Sequence, residues 1–317
     1  MQITHMEVIP VELNLRETVI MAGLPEIHHV TAVFLRLELR DGRSAWGCTV
    51  VHPDLTGEQP AEVIRACQMG ATLSTDLNPL NLEYSLGLVA DCLKYSPAAQ
   101  CAFDLVLYDL LGLAANMPLY RLLVGYRDRI QTPATVSIAP VAESVEMAQA
   151  RAGHGFQMLK IKGGMNAEED VQRVKAIHQA LPEHILRLDA DGGYTVKQAL
   201  DVARALGHTI EMLEQPTPAD DLEGLREVTR YSPVPVLADQ SAKTPASALA
   251  LAGGQIVSGL SVKLAACGGI HSAQQMTTII RAARLEVMIS CMVEPALLTA
   301  AGLSLALSSP AIHYGDL

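Results

Sequence analysis

From about residue 130 onward the chain alternates short apolar runs with longer helix-like stretches, and five of the runs end on a charged residue. These are Met158–Lys162, Ile185–Asp189, Ile210–Glu214, Val234–Asp239 and Val257–Lys263. Further runs at roughly 132–138, 286–290 and 311–314 bring the count to eight. Strands that alternate with helices call for right-handed β-α crossovers and a parallel sheet. Eight of them close into a (β/α)8-type barrel, whose C-terminal strand ends surround one mouth. An open doubly wound sheet is the alternative, but it would spread the five charges along one edge instead of gathering them.

The predicted fold class is α/β: a (β/α)7β TIM-like barrel over residues 126–317, carrying the active site, behind an N-terminal α+β capping domain over residues 1–125. The sequence stops at Leu317, just past the eighth strand, so neither an eighth helix nor a C-terminal return segment is expected. In the N-terminal part, Ile3–Leu13, Thr31–Leu39 and Ser44–Val51 read as a three-stranded antiparallel sheet, with Asp41-Gly42 as a hairpin turn. Val19–His29, with Met21, Pro25 and Ile27, reads as a loop with an apolar face that closes over the site. Ala99–Ala114 is a long apolar helix, and its Asp104 and Asp109 are read as interdomain hydrogen-bonding residues. Asn166 with Glu169 and Thr195 with Gln198 fit capping boxes, and Thr244-Pro245 places a cap before a first-turn proline.

Composition narrows the partners. The 317 residues are 50% hydrophobic, enough for a full core. A net charge of -11 without basic runs argues against nucleic acid and against an anionic membrane. The six cysteines form no CxxC pair and read as reduced thiols. No apolar stretch is read as reaching the length of a membrane span without a break, and the N-terminus lacks the apolar core of a signal peptide. A cytoplasmic protein with a small-molecule carboxylate substrate is the expectation.

Three consecutive strand ends deliver Asp189, Glu214 and Asp239 to one side of the mouth. Three carboxylates with room for water and substrate oxygens suit Mg2+, and Mn2+ also fits. Zinc would call for His or Cys, which these ends lack. Lys162 and Lys263 fall on strands two and six, opposite each other in an eight-stranded barrel. Two lysines on opposite faces of a substrate can each take or return a proton at one carbon. A lysine that serves as base needs a lowered pKa, and a nearby cation lowers it. Mg2+ and Lys160, which shares a strand face with Lys162, are both candidates for that cation.

Taken together, Lys160-Ile-Lys162, Asp189, Glu214-Gln-Pro, Ala238-Asp239 and Val262-Lys263 resemble the enolase superfamily, in its muconate-lactonising subgroup. Asp104–Arg129 resembles the helix and linker that join cap to barrel there. Within the subgroup the chain is most similar to the dipeptide epimerases of the L-Ala-D/L-Glu type, through Cys291-Met292-Val-Glu294 and Asp316. The resemblance implies Asp189, Glu214 and Asp239 as metal ligands and Lys162 and Lys263 as the acid/base pair. It also implies substrate contacts from Lys160, Asp316 and Glu294, with Asp316 on the substrate ammonium. Such sites stabilise an enediolate on Mg2+ and move the α-proton of a carboxylate with a lysine. A homo-oligomer is a further implication.

Three positions depart from the resembled pattern. Asp-Glu-Ser becomes Asp239-Gln240-Ser241, Asp-x-Asn becomes Asp189-Ala-Asp191, and the second Asp of an Asp-x-Asp pair would be residue 318. Other readings keep the core chemistry with another substrate: N-acylamino acid or betaine racemase, o-succinylbenzoate synthase, or cycloisomerase. An inactive metal-binding relative is the reading from a different class. Taken alone, Asp191 reads as a turn residue before Gly192-Gly193, and Glu294 as either a substrate contact or a cap for the next helix.

Overall fold

The computed structural model describes residues 3–317. Its first strands, β1 (Ile3–Val19), β2 (Ile27–Leu39) and β3 (Ser44–Val51), form an antiparallel sheet in that order. The β2–β3 hairpin turns at Asp41-Gly42, where Gly42 takes φ +86°, a conformation that costs glycine little. Five helices follow: α1 (Pro53–Thr56), α2 (Pro60–Ala71), α3 (Leu82–Cys92), α4 (Pro97–Ala115) and α5 (Leu119–Leu122). The Ser96 side chain caps α4 by accepting from Ala99 N.

Helix α4 corrects one expectation. At 19 residues it is long and apolar enough, by length and composition, to cross a membrane. Its apolar surface is explained instead by burial: α4 packs on β2 and β3 on one side and on the barrel on the other, and a helix enclosed on both sides is apolar all round. The approach to β3 is close, because a Cβ at Gly47 would fall 2.1 Å from the Ala102 carbonyl oxygen.

The barrel strands and helices alternate as β4 (Ala134–Val136), α6 (Val141–Gly153), β5 (Met158–Lys162), α7 (Ala167–Ala180), β6 (Ile185–Asp189), α8 (Val196–Leu206), β7 (Leu213–Glu214), α9 (Leu222–Tyr231), β8 (Val236–Ala238) and α10 (Pro245–Gly253). They continue as β9 (Gly259–Lys263), α11 (Leu264–Cys267), α12 (Ile270–Ala282), β10 (Glu286–Ser290), α13 (Ala296–Ala306) and β11 (Ile312–Asp316). The eight strands are parallel and neighbour one another in sequence order from β4 to β11. The two edges are joined through Thr132, whose hydroxyl accepts from Leu317 N at 2.7 Å and donates to Leu317 O at 2.9 Å. The nearly closed barrel and the antiparallel sheet are the architecture read from the sequence.

Details differ. Strand β1 runs past Leu13 to Val19, so the segment between β1 and β2 is residues 20–26 rather than Val19–His29. Leu13, Leu15 and Val19 pack against the large core, which keeps the strand going through an irregular register after Asn14. Helix α11 is an extra turn directly after Lys263, ended by Gly268 at φ +94° and Gly269 at φ +111°. Thr195 with Gln198 forms the predicted capping box, whereas Asn166 caps α7 by accepting from Glu168 N and Glu169 N without a return bond.

Asp104 joins the two layers. Its carboxylate accepts from Ile270 N at 2.6 Å and His271 N at 3.1 Å, at the start of α12. Asp109 accepts instead from Trp46 N on β3, so that bond lies within the N-terminal layer and not between layers. Burial pushes the Asp104 carboxyl up to about 7, against the two backbone bonds that favour its charged form. The folded protein therefore binds this proton more tightly than the unfolded chain. The contribution is full below the ordinary carboxylate range and is lost as pH rises through about 7. Urea unfolding between pH 5 and 8 is expected to show stability falling with pH on this account, with a shallower slope in Asp104→Asn.

Candidate active site

Parallel register puts the charged strand ends at one level. Lys162 pairs with Asp189, Asp189 with Glu214, and Ser290 with both Lys263 and Asp316. In the sheet order β5 and β9 are separated by β6, β7 and β8, so Lys162 and Lys263 stand on opposite sides of the mouth. Asp316 is the last residue of β11 rather than a residue beyond it.

The side chains form one buried ion network. Lys160 Nζ lies 2.9 Å from Asp189, 3.1 Å from Glu214 and 2.5 Å from Asp316. Lys162 Nζ lies 2.8 Å from Asp189 and 2.9 Å from Asp191. Lys263 Nζ is paired with Asp239, and 3.9 Å from Glu214 Oε1. Burial alone would lower the Lys160 ammonium, but Asp189, Asp316 and Glu214 outweigh it and hold it well above the usual range. Burial would likewise raise Asp189, yet the Lys160 and Lys162 ammoniums hold it well below the carboxylate range. Glu214 goes the other way. Burial and the Asp189 charge push it up to about 7, more than Lys160 and Lys263 pull it down.

The loops behind the strands brace this network. Gln215, in a left-handed conformation at φ 33°, accepts from Asp239 N at 2.8 Å and donates to Thr217 O at 2.9 Å. It thereby sets the turn that carries Asp239. Asp191 lies against Lys162 as well as opening the glycine turn, so the turn reading alone was incomplete.

A cleft of about 880 Å3 opens above the network, within the size range of small-molecule sites. Lys160, Lys162, Asp239, Lys263 and Asp316 line it, while Asp189 and Glu214 lie beneath. Its apolar wall includes Val19 and Met21 from the N-terminal layer and Met292 and Val293 from the barrel. Pro25 and Ile27, expected on a lid face, line a separate hollow beside His28 and His52. Glu294 is not on the cleft wall. It accepts from Met292 N at 3.3 Å and Thr299 Oγ1 at 3.2 Å, tying the cleft-lining turn to α13. Its cap reading therefore fits the structure and its substrate-contact reading does not.

Residues 143–317, more than half of the chain, match the family described as enolase C-terminal domain-like. The hydrophobic dipeptide epimerase of Enterococcus faecalis is 35% identical over 93% of this chain and 83% of its own length. The solved dipeptide epimerase of the same organism, complexed with Mg and the dipeptide L-Leu-L-Tyr, has a TM-score of 0.97 at 34% identity, over all of this chain and 90% of that one. The substrate-liganded L-Ala-D/L-Glu epimerase of Bacillus subtilis has a TM-score of 0.96 at 29% identity, over all of this chain and 89% of that one. The chain belongs to the enolase superfamily.

The chemistry of the donor set fits the divalent cation associated with that superfamily. Three ammoniums (Lys160, Lys162 and Lys263) face five carboxylates (Asp189, Asp191, Glu214, Asp239 and Asp316), a surplus of two negative charges in a buried space. Glu214 Oε1 is buried without a hydrogen-bond partner. Among the described residues no three ligating side chains already stand as a cage, because the carboxylates are turned toward lysines.

Sequence reasoning missed the cleft residues Leu55, Thr56 and Lys243. Lys243 Nζ reaches from the loop after β8 to donate to Leu55 O at 2.8 Å, tying the barrel to the α1 segment beside the cleft. Nothing local in the sequence marks this contact, which spans 188 residues. Lys243→Ala is expected to speed amide exchange around Leu55–Gly57 by about tenfold, the loss of one charge-assisted hydrogen bond, as read by hydrogen–deuterium exchange.

Proposed function

We propose that the protein is a Mg2+-dependent epimerase that inverts an α-carbon in dipeptides with apolar side chains. The observation that carries this reading is the placement of Lys162 and Lys263 on opposite sides of one cleft, with Asp189, Glu214 and Asp239 between them. In this reading Asp189, Glu214 and Asp239 hold the metal. Bound there, Mg2+ would neutralise the substrate carboxylate and the charge that develops on it as the α-proton leaves.

The chain's own residues do the rest. One of Lys162 and Lys263 removes the α-proton from one face, and the other returns a proton from the opposite face; the roles exchange for the other hand. Asp316, at the rim of the network, takes the substrate ammonium, and Lys160 beside it keeps that carboxylate in place. Val19, Met21, Leu55, Met292 and Val293 exclude water and meet the substrate side chains. That lining favours apolar dipeptides over acidic or basic ones, in keeping with the relative named a hydrophobic dipeptide epimerase.

The test is α-proton exchange in D2O, followed by NMR, with Mg2+ and panels of apolar, charged and N-acylated substrates. Exchange and inversion are expected for L-Leu-L-Tyr and similar dipeptides, abolished by EDTA and restored by Mg2+. Lys162→Ala and Lys263→Ala are each expected to lower inversion by about 10²–10⁴-fold, the usual worth of a positioned acid or base. Inversion that survives both substitutions would sink the assignment of the lysines. A preference for charged or N-acylated substrates would sink the apolar-dipeptide reading while leaving the proton chemistry standing.

A further inference from the structure

The two departures from the resembled motif touch each other. Gln240, after β8, donates from Nε2 to Asp191 Oδ1, after β6, at 3.2 Å. Asp191 in turn accepts from Lys162 Nζ through both carboxylate oxygens, at 3.0 and 2.9 Å. Its side chain is only 5% exposed, so these neighbours and not solvent set its position. Its backbone sits at φ 46°, a left-handed conformation that Asp tolerates better than most residues.

The chemistry of the contact makes the two residue types dependent on each other. An amide N–H facing a carboxylate is a hydrogen bond; a Glu at 240 would set carboxylate against carboxylate in a buried space, which is repulsive. In the resembled pattern the acid stands at the position of 240 and the amide at that of 191. Here the two have traded places, with the number of carboxylates unchanged. The negative charge has moved from the loop beside Asp239, the partner of Lys263, to the loop beside Lys162.

We infer that Asp191 and Gln240 form one charge-exchanged pair, in which Gln240 fixes Asp191 and Asp191 positions the Lys162 ammonium independently of Asp189. Lys162 bridges Asp189 and Asp191, so it keeps a carboxylate partner when Asp189 is engaged elsewhere. Lys263 has no such second partner at hydrogen-bond distance, since Glu214 Oε1 is 3.9 Å away. The two lysines are therefore held unequally. Asp191 is a positioning residue, and the catalytic part of this inference rests on the proton exchange proposed above.

A double-mutant cycle tests it, with Asp191→Asn, Gln240→Glu and the two combined. Two readouts are taken: the melting temperature without metal, and α-proton exchange for each substrate hand separately. The hand served by Lys162 is the one whose exchange Lys162→Ala abolishes. Each single variant is expected to lower the melting temperature by about 2–4 °C, and the double variant to recover most of the loss. Each single is also expected to slow the Lys162 hand by about tenfold or more, beyond any effect on the other hand, with the double within about threefold of the parent. Additive losses in melting temperature would overturn the pairing. Equal slowing of both hands would overturn the positioning of Lys162. A parent that exchanges no α-proton would count against the proposed function alone, because the melting cycle still decides the pairing.

Discussion

Every part of the active end of this barrel answers to one constraint: charged groups buried together must satisfy one another. Lys160 is about 4% exposed and Asp189 is fully buried, and an isolated ion in such a place would be costly. Lys160 resolves this by sitting among Asp189, Glu214 and Asp316, side chains from three other strands. Such a network is poor evidence for stability, since burial of its members offsets much of the attraction. Its surplus of negative charge is better understood as a feature retained for binding a cation than as a device for folding.

The barrel makes the network possible because a parallel ladder fixes levels. Once Lys162 pairs with Asp189 and Asp189 with Glu214, the last residues of successive strands fall in one ring around the mouth. This is why the site was legible in the sequence. A charge at the end of each of five apolar runs needs only the parallel register to become a cluster. The cap hairpin was legible for a similar reason, since Asp41-Gly42 carries its own turn geometry.

What the sequence left open depends on contacts between distant segments. The extent of the lid was overdrawn because the second half of β1 is mostly polar, and only packing of Leu15 and Val19 on the barrel-side core reveals it as strand. Lys243 meets Leu55 across the two layers with no local signal. Glu294 satisfied two sequence readings equally, and the bonds to Met292 and Thr299 turn it toward α13. Asp191 and Gln240 were each visible as departures, but their hydrogen bond exists only because the loops after β6 and β8 converge.

The N-terminal layer does more than cover the cleft. Lys263 ends β9, and the chain passes at once into the single turn of α11 and the Gly268-Gly269 break before α12. Asp104 on α4 holds that break from the other side, accepting from Ile270 N and His271 N. The fit leaves no room for a side chain at 269, where a Cβ would lie 2.4 Å from the Asp104 carboxyl carbon. One end of the Lys263 segment is thus fixed by the β-ladder and the other by α4. On the opposite side of the mouth, Lys162 is held by barrel residues alone, through Asp189 and Asp191. If the two lysines exchange protons at one carbon, one is referenced to the barrel and the other is braced from the N-terminal layer. The same layer supplies Val19, Met21 and Leu55 to the cleft wall, so a shift of α4 would disturb the substrate pocket and the Lys263 side together.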